Sequence, residues 1–477
     1  MRPDISVIVP CYNAEATLSE TLDSVRRQTL VNWEALCVDD GSTDDTPELL
    51  GRFARRDVRI RTIASPHGGL AAARNRALVH ARAAHVFFLD ADDQIEPDAL
   101  WALLEAAREA GPATIVTAGR ALLTEDGLPV GITHYPRASD FNFDSILQGN
   151  PITPMALVPS ALLGVQPFDA GLQACEDWDL WLRLSDRGVG CRVVPRTLLR
   201  YRLRAGSLTR RCDLMFESGM TVLERWKPKV RDPQCVAHVG QRWAIACAAT
   251  ALAAGDPAAL TRYWSRFGVA ELDRGQCAAV ASTIHGAYCL VRGAQGRTWT
   301  ERREAWLAEA EQWLREGPLA SSSADIHQAL AAQAGRELAV SAVCDWLSAN
   351  VGERRVVLYG LGTNGLTLLE AIRRDGRLRM LMASARIAVA DDATEESIVA
   401  ALGASRERPL MWSAWPAQTL VLVTPRDADG ILAALECRGG RRDVDIVDAC
   451  ALSTGAPILA PSTNAAVPNS VEAMMRS

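Results

Sequence analysis

From Ile5 to about Thr209 short apolar, β-branched runs alternate with stretches of helical period. "ISVIVP" reads as a first strand. "AEATLSETLDSVRRQT" follows as an amphipathic helix with Leu18, Leu22 and Val25 on one face. "WEALCVDD" and "HVFFLDADD" read as further strands, each ending in carboxylates. This alternation predicts an α/β fold with a largely parallel sheet over residues 1–212.

The pattern then becomes helical and Ala-rich over residues 213–350. "TWTERREAWLAEAEQWLREGP" predicts a helix with Thr298 and Glu301 at capping-box spacing and Gly317 and Pro318 as stop signals. Trp299, Trp306 and Trp313 recur every seven residues, which favours a core seam over a membrane-surface face. Over residues 351–455 the α/β alternation returns. "RRVVLYGLGTNGLTLLEAIRR" places Gly360, Gly362 and Gly365 in G-x-G-x-x-G spacing between a strand and a helix. The next acidic strand end, Asp391 and Asp392, falls some 26 residues past Gly365, where a dinucleotide fingerprint expects about 20. A packing or regulatory module is therefore favoured, with NAD or another nucleotide there as the lesser alternative. Residues 456–477 are rich in Pro, Ala, Ser and Asn and are expected to be a disordered tail.

With 477 residues, two to four domains are expected. A chain that is 48% hydrophobic and 23% charged has the composition of a soluble globular protein. Its net charge of −6 and lack of a Lys/Arg run argue against a nucleic-acid partner. The twelve cysteines are scattered without a C-x-x-C pair, as expected for reduced thiols. "MRPDISVIVPCYN" is too short in apolar residues for a signal peptide, and "WAIACAATALAA" is too short to span a bilayer. The expectation is a cytoplasmic protein with at most a peripheral membrane association.

Three acidic clusters carry the candidate chemistry. In "CVDDGSTDDT", Asp39 and Asp40 end a strand; a carboxylate there could accept a ligand N–H or cap the next helix. In "FFLDADDQIEP", Asp90, Asp92 and Asp93 crowd a strand end, as a solvated turn or as an Asp-x-Asp site for Mg²⁺ or Mn²⁺. In "CEDWDLWLRL", Glu176, Asp177 and Asp179 open a helix, where acids complement the helix dipole. Trp178 and Trp181 beside them would desolvate a carboxylate toward the pKa of a general base.

Together with "SVIVPCYNAEATLSETLDSVRRQT", "GGLAAARNRAL" and "YRLRAGSLT", these clusters resemble the family 2 glycosyltransferases of the GT-A fold, over roughly Ile5 to Thr209. The resemblance implies a donor pocket with Pro10 and Tyr12 at the nucleotide and Asp40 on a uracil imide, hence a UDP-linked donor. It implies that Asp90 faces the ribose or pyrophosphate and that Asp92 binds Mn²⁺ or Mg²⁺, with Asp93 orienting them. It makes Asp177 the base that deprotonates an acceptor hydroxyl in an inverting displacement, with Glu176 and Trp178 on the acceptor side. Arg74 and Asn75 match the family's "ARN" segment; Arg74 could offset the acids, contact phosphate or form a structural ion pair. "YRLRAGSLT" departs from the family by placing Arg204 where a His is common. Arginine cannot ligate a metal, so Arg204 would hold the diphosphate itself. The region around Arg354–Cys450 is similar, less specifically, to the Rossmann-type modules of bacterial sugar-modifying enzymes.

The function expected is an inverting transferase of a sugar from a nucleotide-diphosphate donor to a hydroxyl on a glycan, lipid-linked or protein acceptor. Bacterial surface glycan synthesis is the implied setting. The rivals are a non-catalytic sugar-nucleotide-binding scaffold and a nicotinamide-dependent enzyme acting through the C-terminal module.

Overall fold

The computed structural model describes residues 2–331, except for 128, 135, 137, 151, 205, 268–271, 273 and 293–296, and beyond 331 five strand segments. The chain forms two compact units, Met1–Leu330 and Ala331–Ser477.

In the first unit the elements run β1 (Ile5–Cys11), α1 (Leu18–Arg26), β2 (Trp33–Asp39), α2 (Thr46–Arg56), β3 (Ile60–Ala64), α3 (Leu70–Val79) and β4 (His85–Phe88). Next come β5 (Gln94–Ile95), α4 (Ala99–Ala110), β6 (Thr114–Leu123), β7 (Pro129–His134), α5 (Phe143–Leu147), β8 (Leu157–Pro159), α6 (Ser160–Leu163), α7 (Glu176–Asp186) and β9 (Gly190–Arg202). The strands form one sheet in the order β3-β2-β1-β4-β8-β6-β9-β5, with β7 on β6.

The sheet is mixed rather than largely parallel. β3, β2, β1 and β4 run parallel, but β8 is antiparallel to β4 and β6, and β5 is antiparallel to β9. β5 and β8 span two and three residues, too few to show a sequence period. The predicted α1 face is borne out: Leu18, Leu22 and Val25 are fully buried against the sheet. On the other face α3 and α7 pack with Phe88, Ile115, Trp178 and Trp181.

Register then does the positioning. Cys11 lies opposite Asp39, and Ile8 opposite Phe88. The Asp40 N–H continues the ladder to the Cys11 carbonyl at 2.9 Å, and the Leu89 N–H reaches the Ile8 carbonyl at 3.0 Å. Three strands thus end at one edge, where a ligand usually meets such a sheet.

Helices α8 (Cys212–Trp226), α9 (Pro233–Ala253), α10 (Ala259–Trp264), α11 (Arg274–Arg292) and α12 (Arg297–Glu316) follow. Val222, Leu223, Val236 and Val239 join the apolar cluster of α7. In α12 the heptad tryptophans Trp306 and Trp313 are buried and Trp313 donates to the Pro257 carbonyl at 3.0 Å, so this face is a core seam. Thr298 lies inside α12 instead of capping it, because the helix already includes Arg297. Among the described residues no helix is long and apolar enough to cross a membrane, and the eight described cysteines are free.

The second unit contains β10 (Arg355–Tyr359), β11 (Ile387–Ala390), β12 (Ser405–Glu407), β13 (Thr419–Val423) and β14 (Asp445–Asp448). They form a parallel sheet in the order β12-β11-β10-β13-β14. Gly360, Gly362, Gly365, Asp391, Asp392 and the tail lie outside the described residues.

The α8–α9 contact can be tested at Gly219. A Cβ there would lie 2.1 Å from Trp243 Nε1, whose N–H bonds the Met215 carbonyl at 3.1 Å. Alanine gains roughly 0.5–1 kcal/mol over glycine inside a helix, whereas overpacking costs about 1–3 kcal/mol. Because 2.1 Å is far inside van der Waals contact, overpacking near the upper end of that range outweighs the gain, and Gly219→Ala is expected to lower stability by about 2 kcal/mol in denaturant unfolding; a more stable variant would show that the two helices do not pack this closely.

Candidate active site

The aligned strand ends and the start of α7 meet at an acidic site bridged by Arg74. One end of the site is built on Tyr12, which directly follows β1, the strand that holds Pro10. The Tyr12 ring is 49% exposed and stacks on the ring of His67, with centroids 4.2 Å apart. Asp40 is buried, and its carboxylate accepts from the backbone N–H groups of Gly68 and Gly69 at 2.9 and 2.8 Å. His67 Nδ1 lies 3.0 Å from one Asp40 oxygen and Arg76 Nη1 3.3 Å from the other. In this conformation Asp40 spends its lone pairs on the 67–69 loop, so an imide contact requires that loop to yield. Gly41, at φ +76°, makes the turn, and a Cβ on it would meet the His67 backbone N at 2.9 Å.

The Asp-x-Asp turn after β4 is held from both sides. Thr17 and Thr21 each donate to the Ala91 carbonyl at 2.9 Å. Arg202, buried, donates through Nε to the Asp92 carbonyl at 2.8 Å and through Nη2 to Glu20 at 2.6 Å. Asp93 is buried and accepts the Arg202 backbone N–H at 2.9 Å. It is therefore a support of the turn. Asp92 faces the cleft with its side chain 26% exposed, 3.6 Å from Arg204 Nη1. Burial and the neighbouring Asp90 push its carboxyl up to about 6.

At the opposite wall the backbone turns into α7 through Cys175, at φ +61°, a left-handed conformation uncommon for a residue with a side chain. Glu176 follows buried, and Asp177 points into the cleft, accepting from Asn150 Nδ2 at 2.8 Å and from the Trp178 N–H at 2.8 Å. Burial first, and then the Glu176 charge, raise the Asp177 carboxyl to about 7, against an opposing pull from Arg74. Asp179 takes no part: buried, it accepts from Arg183, Arg225 and Trp226 and ties α8 to α7.

Trp178 departs from its expected acceptor-side place. It is 1% exposed, donates to the Ile146 carbonyl at 2.6 Å and packs on Trp243. The helical period turns position 178 into the core, so it contributes burial rather than a contact surface.

Arg74 joins the two walls. It is fully buried on α3, with Nη1 2.5 Å from Glu176 and Nη2 2.6 Å from Asp90. Burial alone would disfavour its charge, but Asp90 and Glu176 more than offset this and keep it firmly protonated. The next residue, Asn75, clasps the Phe168 backbone by donating to its carbonyl at 2.6 Å and accepting its N–H at 3.1 Å. This brings together Asp90, Asp92, Arg204, Arg74, Glu176 and Asp177.

The family model described as Glycosyl transferase family 2 matches residues 6–168, which hold the strand ends, the Asp-x-Asp turn and Arg74. A Bacillus subtilis glycosyltransferase, TuaG, named for teichuronic acid biosynthesis, is 32% identical over 210 residues, 44% of this chain and 82% of that protein. The chain belongs to glycosyl transferase family 2 and is a glycosyltransferase.

A hyaluronan synthase of Pasteurella multocida is 28% identical over 187 residues, 39% of this chain and 19% of that protein. The crystal structure of S. aureus TarS 1-349 in complex with UDP-GlcNAc has 17% identity and a TM-score of 0.41, covering 69% of this chain and 91% of that one. In this glycosyltransferase, sequence reasoning missed His67, Asn150 and Arg202 at the site, and it passed over Arg120 on β6. Only Arg120 carried a signal, as a lone charge in the apolar run "TIVTAGRALL".

Removing Arg74 leaves buried acids without their cation, which typically costs about 3–5 kcal/mol. Asp177 fixes the sign of the pH dependence. A carboxyl whose folded pKa lies above its unfolded value stabilises the fold fully at low pH, and that stability is lost as pH rises through the folded pKa. Without Arg74 the Asp177 pKa rises further. Arg74→Met is therefore expected to lose more stability at pH 8 than at pH 5 in denaturant unfolding; a deficit independent of pH would point to lost packing alone.

Proposed function

We propose that this glycosyltransferase is an inverting enzyme that moves a sugar from a nucleotide-diphosphate donor, UDP-linked, to an acceptor hydroxyl in bacterial surface glycan synthesis. The observation that carries the reading is Asp177, held near neutrality at the cleft and joined through Glu176 and Arg74 to the Asp-x-Asp acids. A carboxyl poised near the working pH is suited to general base catalysis. The relative named for teichuronic acid and the hyaluronan synthase support the glycan setting.

In this reading Asp177 takes the proton of the acceptor hydroxyl as its oxygen attacks the anomeric carbon, and the diphosphate leaves from the opposite face. Asn150 and the Trp178 N–H hold the base in orientation. Tyr12 offers its ring to the nucleobase.

Among the described residues no group of three or more His, Cys, Asp or Glu side chains is arranged to hold a metal. Asp90 and Asp92 nevertheless fit Mn²⁺ or Mg²⁺, which commonly take one or two carboxylates together with substrate phosphates. Burial and mutual repulsion hold Asp92 short of full ionisation, a state a cation would relieve. Asp92 would hold the metal, with Asp90 beside it, and a metal so held supplies charge neutralisation to the leaving diphosphate. Arg204, 3.6 Å from Asp92, favours a variant in which an arginine takes part of that role.

The test is turnover of UDP-sugars across pH. kcat/KM is expected to fall about tenfold per unit below an apparent pKa near 7, the value at Asp177. Removing the Glu176 charge removes a repulsion that raises this pKa, so Glu176→Gln should move the acidic limb to lower pH. Asp177→Asn should lose on the order of 10²–10⁴ in kcat while binding UDP as wild type does. A limb unmoved by Glu176→Gln, with turnover retained in Asp177→Asn, would remove Asp177 from the role.

A further inference from the structure

Arg120 is a basic side chain near the site for which the mechanism has no use. It sits on β6, opposite Leu199 of β9 and His134 of β7, beside an irregularity in the β6–β9 register. Its guanidinium lies 5.9 Å from the Tyr201 ring, and its Nε is closed off from solvent without a partner. Among the described residues no hydrogen bond or ion pair engages the guanidinium. The carboxylates whose charge acts on it are Asp93, beneath the Asp-x-Asp turn, and Asp177.

Arg74 also leaves its Nε without a partner, but the two buried arginines of the site differ from Arg120 in engaging their Nη groups. Arg202 satisfies its guanidinium on the Asp92 and Glu125 carbonyls and on Glu20. Arg74 spends both Nη groups on carboxylates. Arg120 is partly exposed as a residue, but its Nε is sealed from water with no partner among the described residues, and a buried donor left unpaired is costly for a fold. Burial acts on Arg120 in that sense, lowering its pKa. Arginine matches a phosphate or carboxylate with a planar, two-pronged donor set. The cost of leaving it unpaired is recovered when such a group arrives.

We propose that Arg120 is a donor-binding residue that holds an oxyanion of the bound sugar nucleotide, a phosphate or a sugar carboxylate, between the Asp93 turn and Asp177. This rests on the reading of the cleft as a donor site. It adds a specificity element at the sugar side, away from Tyr12 and Asp40.

The test titrates uridine, UDP, UDP-glucose and UDP-glucuronate into the full-length wild type, Arg120→Gln and Arg120→Lys, with melting temperatures recorded. Arg120→Gln removes the cation beside Tyr201 and Asp93, so the melting temperatures separate a loss of fold from a loss of binding. If the oxyanion is the diphosphate, UDP and both UDP-sugars weaken at least tenfold in Arg120→Gln and uridine does not. If it is a sugar carboxylate, UDP-glucuronate alone weakens by that factor. Arg120→Lys, keeping the charge but not the fork, should fall between, and it serves as the readout if Arg120→Gln does not fold. All four ligands binding within twofold of wild type in the folded variants would overturn the proposal. A wild type that binds none of the four would overturn the donor reading itself, and this inference with it.

Discussion

The active site depends on one buried arginine. Arg74 lies on a helix between two acidic walls and ties Asp90 on one to Glu176 on the other. Like charges brought this close repel unless a cation lies among them. A lysine could neutralise one carboxylate at a time, whereas the guanidinium has donors for two at a fixed spacing. The two acidic walls are thereby held as a single constellation. The same charge pulls the Asp177 carboxyl down against burial and the Glu176 charge, which together raise it to about 7.

The rest of the fold holds this arrangement in register. Parallel pairing of β1 with β2 and β4 brings Tyr12, Asp40 and Asp90 to one edge. α1 fixes the Asp-x-Asp turn through Thr17 and Thr21, and Arg202 fixes it from the far side of the sheet. Asn75 clasps the segment that leads toward α7, beside the arginine that reads the start of that helix. The positive φ of Cys175 turns Glu176 toward Arg74 and Asp177 toward the cleft. Strain of this kind is characteristic of functional sites, where the surrounding packing offsets it.

What could be read in the chain was local. The α1 stripe, the strand ends and the tryptophan seam of α12 each follow from a period within a short window. The mixed sheet was hidden because β5 and β8 are too short for a period. Trp178 was misplaced because spacing puts a residue near the site without saying which way its helix face turns. The Arg74 bridge links residues up to 102 positions apart. No local pattern predicts that a single side chain will meet both acids. Arg120 was visible only as a charge where an apolar residue would be expected, and its meaning came from the absence of partners around it.

The proposed donor site lies between the two acidic walls, with Asp92 facing the leaving diphosphate. Calorimetric titration of UDP with and without Mn²⁺, on the wild type and Asp92→Asn, tests it most directly. UDP is expected to bind, Mn²⁺ to tighten its binding to the wild type, and Asp92→Asn to lose this gain. UDP that fails to bind, or a Mn²⁺ gain that survives in Asp92→Asn, would contradict it.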